Sequence, residues 1–328
     1  MAAPSTQTES IRAGQPIRLG ISSCLLGENV RFDGGHKKDH FLVDVLGAHV
    51  EWVPVCPELE MGMGVPRETI QLQREGGLVQ LVAPKSGTDH TAGMTRWAAG
   101  RLNELAQEAL CGYVLKKDSP SCGMVRVRVY DENGVPARDG VGLYAAALME
   151  RFGSLPVEEE GRLHDANLRE NFIERVFAYH RLRGLFAPRW KHSDVVDFHT
   201  RHKLLLMAHS PRGYKALGRF VAEGKKHPRQ EFRTCYEAEF MSALKAHATK
   251  GRHTNVLQHI MGHFSDELDP DSRQELVDVI ADYRSGLTPL VVPLTLVRHY
   301  VRAFQVEYLA DQFYLDPHPK ELMLRNHV

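Results

Sequence analysis

In the first half of the chain, segments with the hydrophobic pattern of strands alternate with segments that have the hydrophobic spacing of helices. Short apolar runs bounded by Gly, Pro or polar residues predict strands, at residues 17–21, 50–55, 67–72, 78–83, 112–115 and 125–130. Apolar residues at helical spacing predict helices at residues 91–109 and 140–152, and a short helical segment at 44–47. This alternation predicts a three-layer α/β domain with a mostly parallel sheet and helices on both faces.

From about residue 165 the apolar spacing becomes helical almost throughout. A cluster of Pro and acidic residues at 155–161 predicts a domain boundary, and residues 165–185 predict a connecting helix. An all-α bundle should follow, with helices at residues 195–208, 211–223, 229–250, 253–264, 269–285 and 289–308. The predicted organisation is a disordered tail at 1–15, an α/β domain at 16–160, a connecting helix and linker at 161–192, and an all-α domain at 193–328.

Composition narrows the classes of function. The 328 residues contain 41 Lys+Arg and 41 Asp+Glu, a balance that gives no support for DNA or an anionic membrane as partner. No apolar run reaches the roughly 18 residues of a membrane-spanning helix, and the start lacks the apolar stretch of a signal peptide. Five cysteines in such a chain argue against a disulfide framework. We therefore expect a cytoplasmic protein whose cysteines include metal ligands or catalytic groups.

Three of the five cysteines lie in turns that follow predicted strands. Cys24 follows the strand at 17–21, Cys56 follows the strand at 50–55, and Cys122 lies in a Ser-Pro-Ser-Cys-Gly turn after the buried strand at 112–115. Since open α/β sheets bind ligands at the carboxyl ends of their strands, we expect the three thiols to converge there. Cys111 and Cys235 lie at a helix end and inside a helix, and for both we expect core packing.

Several chemistries are open to the three converging cysteines. Their thiolates suit a [4Fe-4S] cluster with one open iron, or a zinc ion completed by His36 or water. One thiol acting as a nucleophile is a third possibility, and three small buried apolar side chains is a fourth. Because each cysteine has Gly, Pro or Ser neighbours in a loop, the pattern favours ligands.

Polar residues near these cysteines are candidate catalytic and binding groups. Glu58 could serve as a general base beside a metal, or only cap a helix, and Ser119 could orient a substrate or form a local turn bond. Arg31 and Asp33 lie in a Gly-rich loop that could bind a polar heterocycle or be a solvated connection. Together with Ser121, they are the candidate substrate-binding residues.

The three turns together resemble the thiouracil desulfidase family. The resemblance covers about residues 16–155 and rests on residues 23–27 with 30–35, 54–58 with 66–67, and Lys116 with 119–123. It implies that Cys24, Cys56 and Cys122 ligate a [4Fe-4S] cluster whose fourth iron is free. It also implies that Glu58 and Ser119 are the catalytic acid/base and the catalytic serine.

The function implied by the resemblance is iron–sulfur-dependent, non-redox desulfuration. The substrate would be a small thiolated pyrimidine similar to 2-thiouracil, the product hydrosulfide, and the cluster would come from iron–sulfur assembly machinery. The alternative is a sensor of oxygen or sulfide whose helical domain contacts a partner. The second half, from about residue 198 to 326, is similar to a helical domain found fused to the first.

The second half also contains a histidine pair, His259 and His263, one helical turn apart. That spacing can bind zinc, with His202, His209 or His299 brought near by folding, but the Glu of the metalloprotease motif is missing. Packing or hydrogen bonding of the two rings is the simpler interpretation.

Overall fold

The computed structural model describes residues 16–264 and 266–327. The chain divides into two compact units, one spanning Pro16–Asp165 and the other starting at Ala166. The predicted tail at 1–15 lies outside the described residues. Within the described residues, no helix combines the length and apolar character needed to cross a membrane.

The first unit is built on two four-stranded sheets. Its strands are β1 (Arg18–Ser22), β2 (Glu51–Val55), β3 (Gln71–Glu75), β4 (Leu78–Val82), β5 (Gly112–Leu115), β6 (Val127–Tyr130), β7 (Pro136–Gly140) and β8 (Val157–Glu159). The first sheet has the order β2-β1-β5-β8 and is parallel throughout. The second has the order β4-β3-β6-β7, in which only β3 and β6 pair in parallel.

Three α-helices accompany these sheets: α1 (Pro57–Glu60), α2 (Thr91–Leu105) and α3 (Leu143–Arg151). The predicted apolar face of α2 is buried through Met94, Ala98, Leu102 and Leu105, and α2 packs against α3. One-turn helices occupy Ser23–Leu26, Phe41–Val45, Leu46–Ala48 and Arg162–His164. The unit therefore has the predicted α/β class, with a parallel sheet, but its strands divide between two sheets.

The acidic cluster at residues 155–161, predicted to mark a domain boundary, lies just before the division between the two units at Asp165 and Ala166. It also contains a strand that was not predicted, β8, at the edge of the parallel sheet, and Glu158, Glu159 and Glu160 are all buried. Strand β7 was also missed, and the strands expected at 67–72 and 125–130 begin later, as β3 and β6. Three consecutive acids lack the apolar pattern of a strand. Their burial requires partners from other parts of the chain, which a local pattern does not show.

The second unit is all helical. Its helices are α4 (Ala166–Leu185), α5 (His192–Arg201), α6 (Lys203–His209), α7 (Pro211–Ala222), α8 (Arg229–Lys245), α9 (Lys250–Met261), α10 (Pro270–Ser285), α11 (Val291–Ala303) and α12 (Glu307–Ala310). One hydrophobic core runs from Ala178 to Leu315. The helix expected to act as a connector is α4, which contributes to this core, and the helix expected at 195–208 is interrupted at His202.

Candidate active site

The three predicted thiols lie on the wall of one cavity of about 360 Å³. Cys24 lies in the one-turn helix directly after β1, Cys56 lies between β2 and α1, and Cys122 lies in the loop after β5. Because β1, β2 and β5 are neighbouring parallel strands, their carboxyl ends meet at one sheet edge. The predicted convergence is confirmed.

The loop that carries Cys122 is held tightly against the start of α3. The first N–H groups of α3 donate to loop carbonyls, Leu143 to Pro120 at 3.2 Å and Ala145 to Ser121 at 3.1 Å. A Cβ on Gly123 would lie 2.4 Å from Val127 Cγ2 and 2.8 Å from the Ser119 carbonyl oxygen. Only glycine fits there without movement of the chain, so the helix and this close approach together fix the Cys122 backbone.

Burial holds the three thiols in their neutral form. It raises the pKa of the Cys24 thiol to about 11, an effect that the Lys116 ammonium opposes. Burial, and next the Glu58 carboxylate, raise the pKa of Cys122 well above its usual range, and burial also raises the pKa of Cys56. Thiolates here need added positive charge, which a bound metal centre supplies.

The donor set fits a soft metal centre, because three thiols from separate loops line one cavity. Among the described residues, no group of three or more His, Cys, Asp or Glu side chains is placed to hold one metal ion. His36 is exposed, is not among the described lining residues, and accepts a hydrogen bond from the Lys38 backbone. The zinc alternative completed by His36 is therefore not supported.

Glu58 lies on the cavity wall and is held from two sides. Its Oε2 accepts from Arg67 Nε at 3.0 Å and Nη2 at 2.5 Å, and its Oε1 accepts from Ser121 Oγ at 3.0 Å. Arg67 is only 4% exposed and also donates to the Gly64 carbonyl, so its guanidinium is itself fixed. The two hydrogen bonds from the Arg67 guanidinium limit the rotation of the Glu58 carboxyl group.

The two serines of the Cys122 loop have different surroundings. Ser119 lines the cavity, and its Oγ accepts from the backbone N–H groups of Ser121 at 3.2 Å and Cys122 at 3.1 Å. These bonds use both lone pairs of the hydroxyl, and no described residue accepts its proton. Ser121 is fully buried, is not among the described lining residues, and donates to Glu58.

The candidate binding residues of the Gly-rich loop also separate. Arg31 lines the cavity, whereas Asp33 is exposed and is not among the described lining residues. Asp33 Oδ1 accepts from the Gly35 N–H at 3.0 Å and lies 3.5 Å from Arg31 Nε. The Gly35 hydrogen bond lowers the pKa of Asp33. Asp33 therefore shapes the loop and orients Arg31.

Both parts of the chain match known protein families. Residues 19–160 match the family described as 2-thiouracil desulfurase, and residues 203–319 match a family of unknown function, DUF1722. The chain belongs to the 2-thiouracil desulfurase family. The resemblance carried by the three cysteine turns is thereby confirmed, and we refer to residues 16–165 as the desulfurase domain and to residues from 166 onward as the helical domain.

Two curated proteins and one solved structure are similar to parts of this chain. The uncharacterized protein YbgA of Escherichia coli K12 is 33% identical over 158 residues, which cover 48% of this chain and 94% of YbgA. The uncharacterized protein YbbK of Bacillus subtilis is 34% identical over 111 residues, 31% of this chain and 71% of YbbK. The solved structure of TudS, a [4Fe-4S]-dependent thiouracil desulfidase, is 34% identical, with 45% of this chain and 93% of TudS covered and a TM-score of 0.37.

Sequence reasoning missed several charged residues of the desulfurase domain. Arg67, Lys37, Lys116 and Lys117 line the cavity but received no role, and Glu160 pairs with Lys116. The sequence signal was present for Lys116, which directly follows β5 at the same edge as the cysteines. For Glu160 there was none, because β8 was not recognised.

The remaining cysteines and the histidine pair do not extend the site. Cys111 is buried as expected, but Cys235 is exposed on α8, so its predicted core packing is wrong. His259 and His263 are exposed, with ring centroids 5.5 Å apart, and His263 also contacts Tyr308. These ring contacts agree with the packing interpretation of the pair.

Proposed function

We propose that this protein removes sulfur from a thiolated pyrimidine, such as 2-thiouracil, and releases it as hydrosulfide. Water supplies the oxygen that replaces the thiocarbonyl sulfur, so the reaction needs no electron donor or acceptor. The observation that carries the proposal is that three thiols, a positioned carboxylate and an unused hydroxyl share one cavity of the desulfurase domain. Family membership supports the same reaction class.

Cys24, Cys56 and Cys122 would hold a [4Fe-4S] cluster. The soft sulfur donors, their origin on three separate loops and their common cavity all suit such a group. A cluster bound through three cysteines has one iron without a protein ligand, which would supply Lewis acidity toward the substrate sulfur.

Glu58 is the proposed general base. Arg67 and Ser121 hold its two oxygens in place, and Oε1 keeps a lone pair with which to accept a proton from water. Ser121, assigned to the substrate by the sequence pattern, therefore acts in this proposal by positioning Glu58.

Ser119 and Arg31 are the proposed contacts to the substrate. The Ser119 hydroxyl, with both lone pairs in use, donates to the base or to the departing sulfur. Arg31 lies 5.4 Å from the Phe32 ring centroid, also at the cavity, and can donate to the carbonyl oxygen of a pyrimidine.

The test is hydrosulfide release from 2-thiouracil by anaerobically reconstituted full-length protein, with iron content and visible spectrum measured on the same sample. Cys56→Ser should lose iron and turnover, whereas Cys235→Ser, on an exposed face of the helical domain, should lose neither. A protein that binds iron but releases no hydrosulfide would overturn the proposed desulfidase activity and favour the alternative function as a sensor of oxygen or sulfide. Absence of iron from the wild-type protein would overturn the cluster assignment.

A further inference from the structure

A largely buried ion pair forms part of the cavity edge of the desulfurase domain. Lys116 Nζ donates to Glu160 Oε1 at 2.5 Å and to the Lys117 carbonyl at 3.1 Å. Glu160 Oε2 accepts from the Lys117 N–H at 2.7 Å. The two side chains are 14% and 9% exposed, so solvent screens this pair less than a surface pair.

The parallel sheet brings these two residues to the same edge as the cysteines. Lys116 follows β5, and Glu160 follows β8, which pairs with β5. The Lys116 backbone N–H also donates to Ser22 Oγ at 3.0 Å, which ties it to the end of β1 just before Cys24. The pair is thus built into the same framework as the thiols.

The two members of the pair differ in their relation to the cavity. Lys116 is a lining residue, whereas Glu160 is not among the described lining residues. Of the three N–H groups of Nζ, two are used by Glu160 and Lys117, and one remains. Lys116 and Cys24 both line this cavity.

We propose that Lys116 is the cation that offsets the negative charge of the thiolates and of the group they hold, and that Glu160 is a positioning residue that keeps the ammonium at the cavity wall. This inference rests on the proposed function, since it assumes an iron–sulfur group on Cys24, Cys56 and Cys122. A positive charge beside such a group favours its more negative, reduced state and makes the open iron a stronger acceptor. The carboxylate of Glu160 partly opposes that effect.

The two members of the pair must therefore shift the reduction potential in opposite directions. The experiment is a dithionite titration of anaerobically reconstituted full-length protein, followed by visible absorption, with iron content measured for each variant. Lys116→Met should lower the midpoint potential relative to the wild type, and Glu160→Gln should raise it. Lys116→Arg keeps the charge and should stay near the wild-type value.

Matched controls come from an exposed ion pair of the same domain. Arg74 Nη2 lies 2.9 Å from Asp139 Oδ2 on the second sheet. Because neither residue is among the described lining residues of the cavity, Arg74→Met and Asp139→Asn should leave the potential unchanged. A merely structural role would give Lys116→Met and Glu160→Gln shifts of the same sign, because both break one contact. Shifts of equal sign, or none beyond the controls, would overturn the inference.

Other outcomes separate this inference from the proposed function. If Lys116→Met retains no iron, the test is the midpoint potential of Glu160→Gln. A lowered or unchanged potential in Glu160→Gln would then overturn the inference. Opposite shifts of the midpoint potential in a protein that releases no hydrosulfide would support the proposed role of the Lys116–Glu160 pair and overturn the proposed desulfidase activity. A wild-type protein without iron would overturn both.

Discussion

The two domains both bury charged side chains, but they use them differently. In the desulfurase domain, Lys116 and Ser119 keep an unused donor at a cavity of about 360 Å³. In the helical domain, Arg325 donates to Glu170 at 3.2 Å, to Glu174 at 2.5 Å and to the Tyr314 carbonyl at 2.6 Å.

The charged groups of the helical domain, which we call the closed cluster, bond to one another: Arg325, Glu170, Glu174 and His209. The second oxygen of Glu174 accepts from His209 Nε2 at 2.9 Å, and the groups surround a cavity of only about 100 Å³. Although burial opposes ionisation, Arg325 and His209 lower the pKa of Glu174 below its usual range. Charges that satisfy one another stabilise an arrangement of helices, whereas charges with spare donors can act on a ligand.

The largest expected effect comes from the proposed base in the open site. Glu58→Gln should keep the iron but reduce the hydrosulfide release rate by about 10²- to 10⁴-fold, the usual contribution of a general base. The measurement is the initial rate with 2-thiouracil at equal iron content. Glu51→Gln, an exposed carboxylate at the opposite end of β2, is the control and should retain the rate. Full activity of Glu58→Gln would remove Glu58 from the mechanism.

A substitution in the closed cluster should change the stability of the helical domain. Arg325→Met leaves Glu174 buried without its main counter-charge and should lower the free energy of unfolding by about 3–5 kcal/mol. Denaturant unfolding followed by circular dichroism measures this change, and exposed Arg284→Met on α10 is the control. A loss below about 1 kcal/mol would show that the cluster contributes little to the helical domain.

A backbone change tests how tightly the open site is held. Gly123→Ala places a methyl group 2.4 Å from Val127 Cγ2, so it should lower stability by about 1–3 kcal/mol and reduce iron binding through Cys122. Gly100 is exposed on α2, and a Cβ added there would have nothing within 4 Å, so Gly100→Ala should be neutral or slightly stabilising. Thermal unfolding and iron content of both variants measure the difference, and equal behaviour would contradict the tight fit.

Near neutral pH, the smallest expected effect is a pH dependence of stability caused by His253, which lines the same cavity of the helical domain. Burial lowers the pKa of His253 from 6.5 to about 3. Between these values the unfolded chain binds a proton that the folded one does not, so stability falls as pH decreases below 6.5, by about 1.4 kcal/mol per pH unit. His253→Gln should flatten the dependence of unfolding free energy on pH by this slope, and exposed His299→Gln should not. An unchanged slope would show that His253 titrates normally.

Local patterns predicted the elements well where each element has a distinct composition. The strand β5 was predicted at its observed bounds, because its uninterrupted apolar run is typical of a strand buried on both faces. The cysteine turns were recognisable because Pro and Gly end strands in characteristic ways. In contrast, β8 and the residue after it are consecutive acids without an apolar pattern. Glu158 accepts from Arg162, Glu159 from Met124 and Glu160 from Lys116, and none of these donors lies in the strand.

By itself, the sequence determined the α/β and all-α division, the three cysteine turns and their common edge, because these follow from short-range periodicity and the geometry of parallel strands. Only the tertiary structure decided that Ser121 contacts Glu58, that Arg67 holds that carboxylate, and that Lys116 pairs with Glu160. These contacts join residues between 9 and 63 positions apart. Such pairings arise from the way strands and loops pack, and no local pattern encodes them.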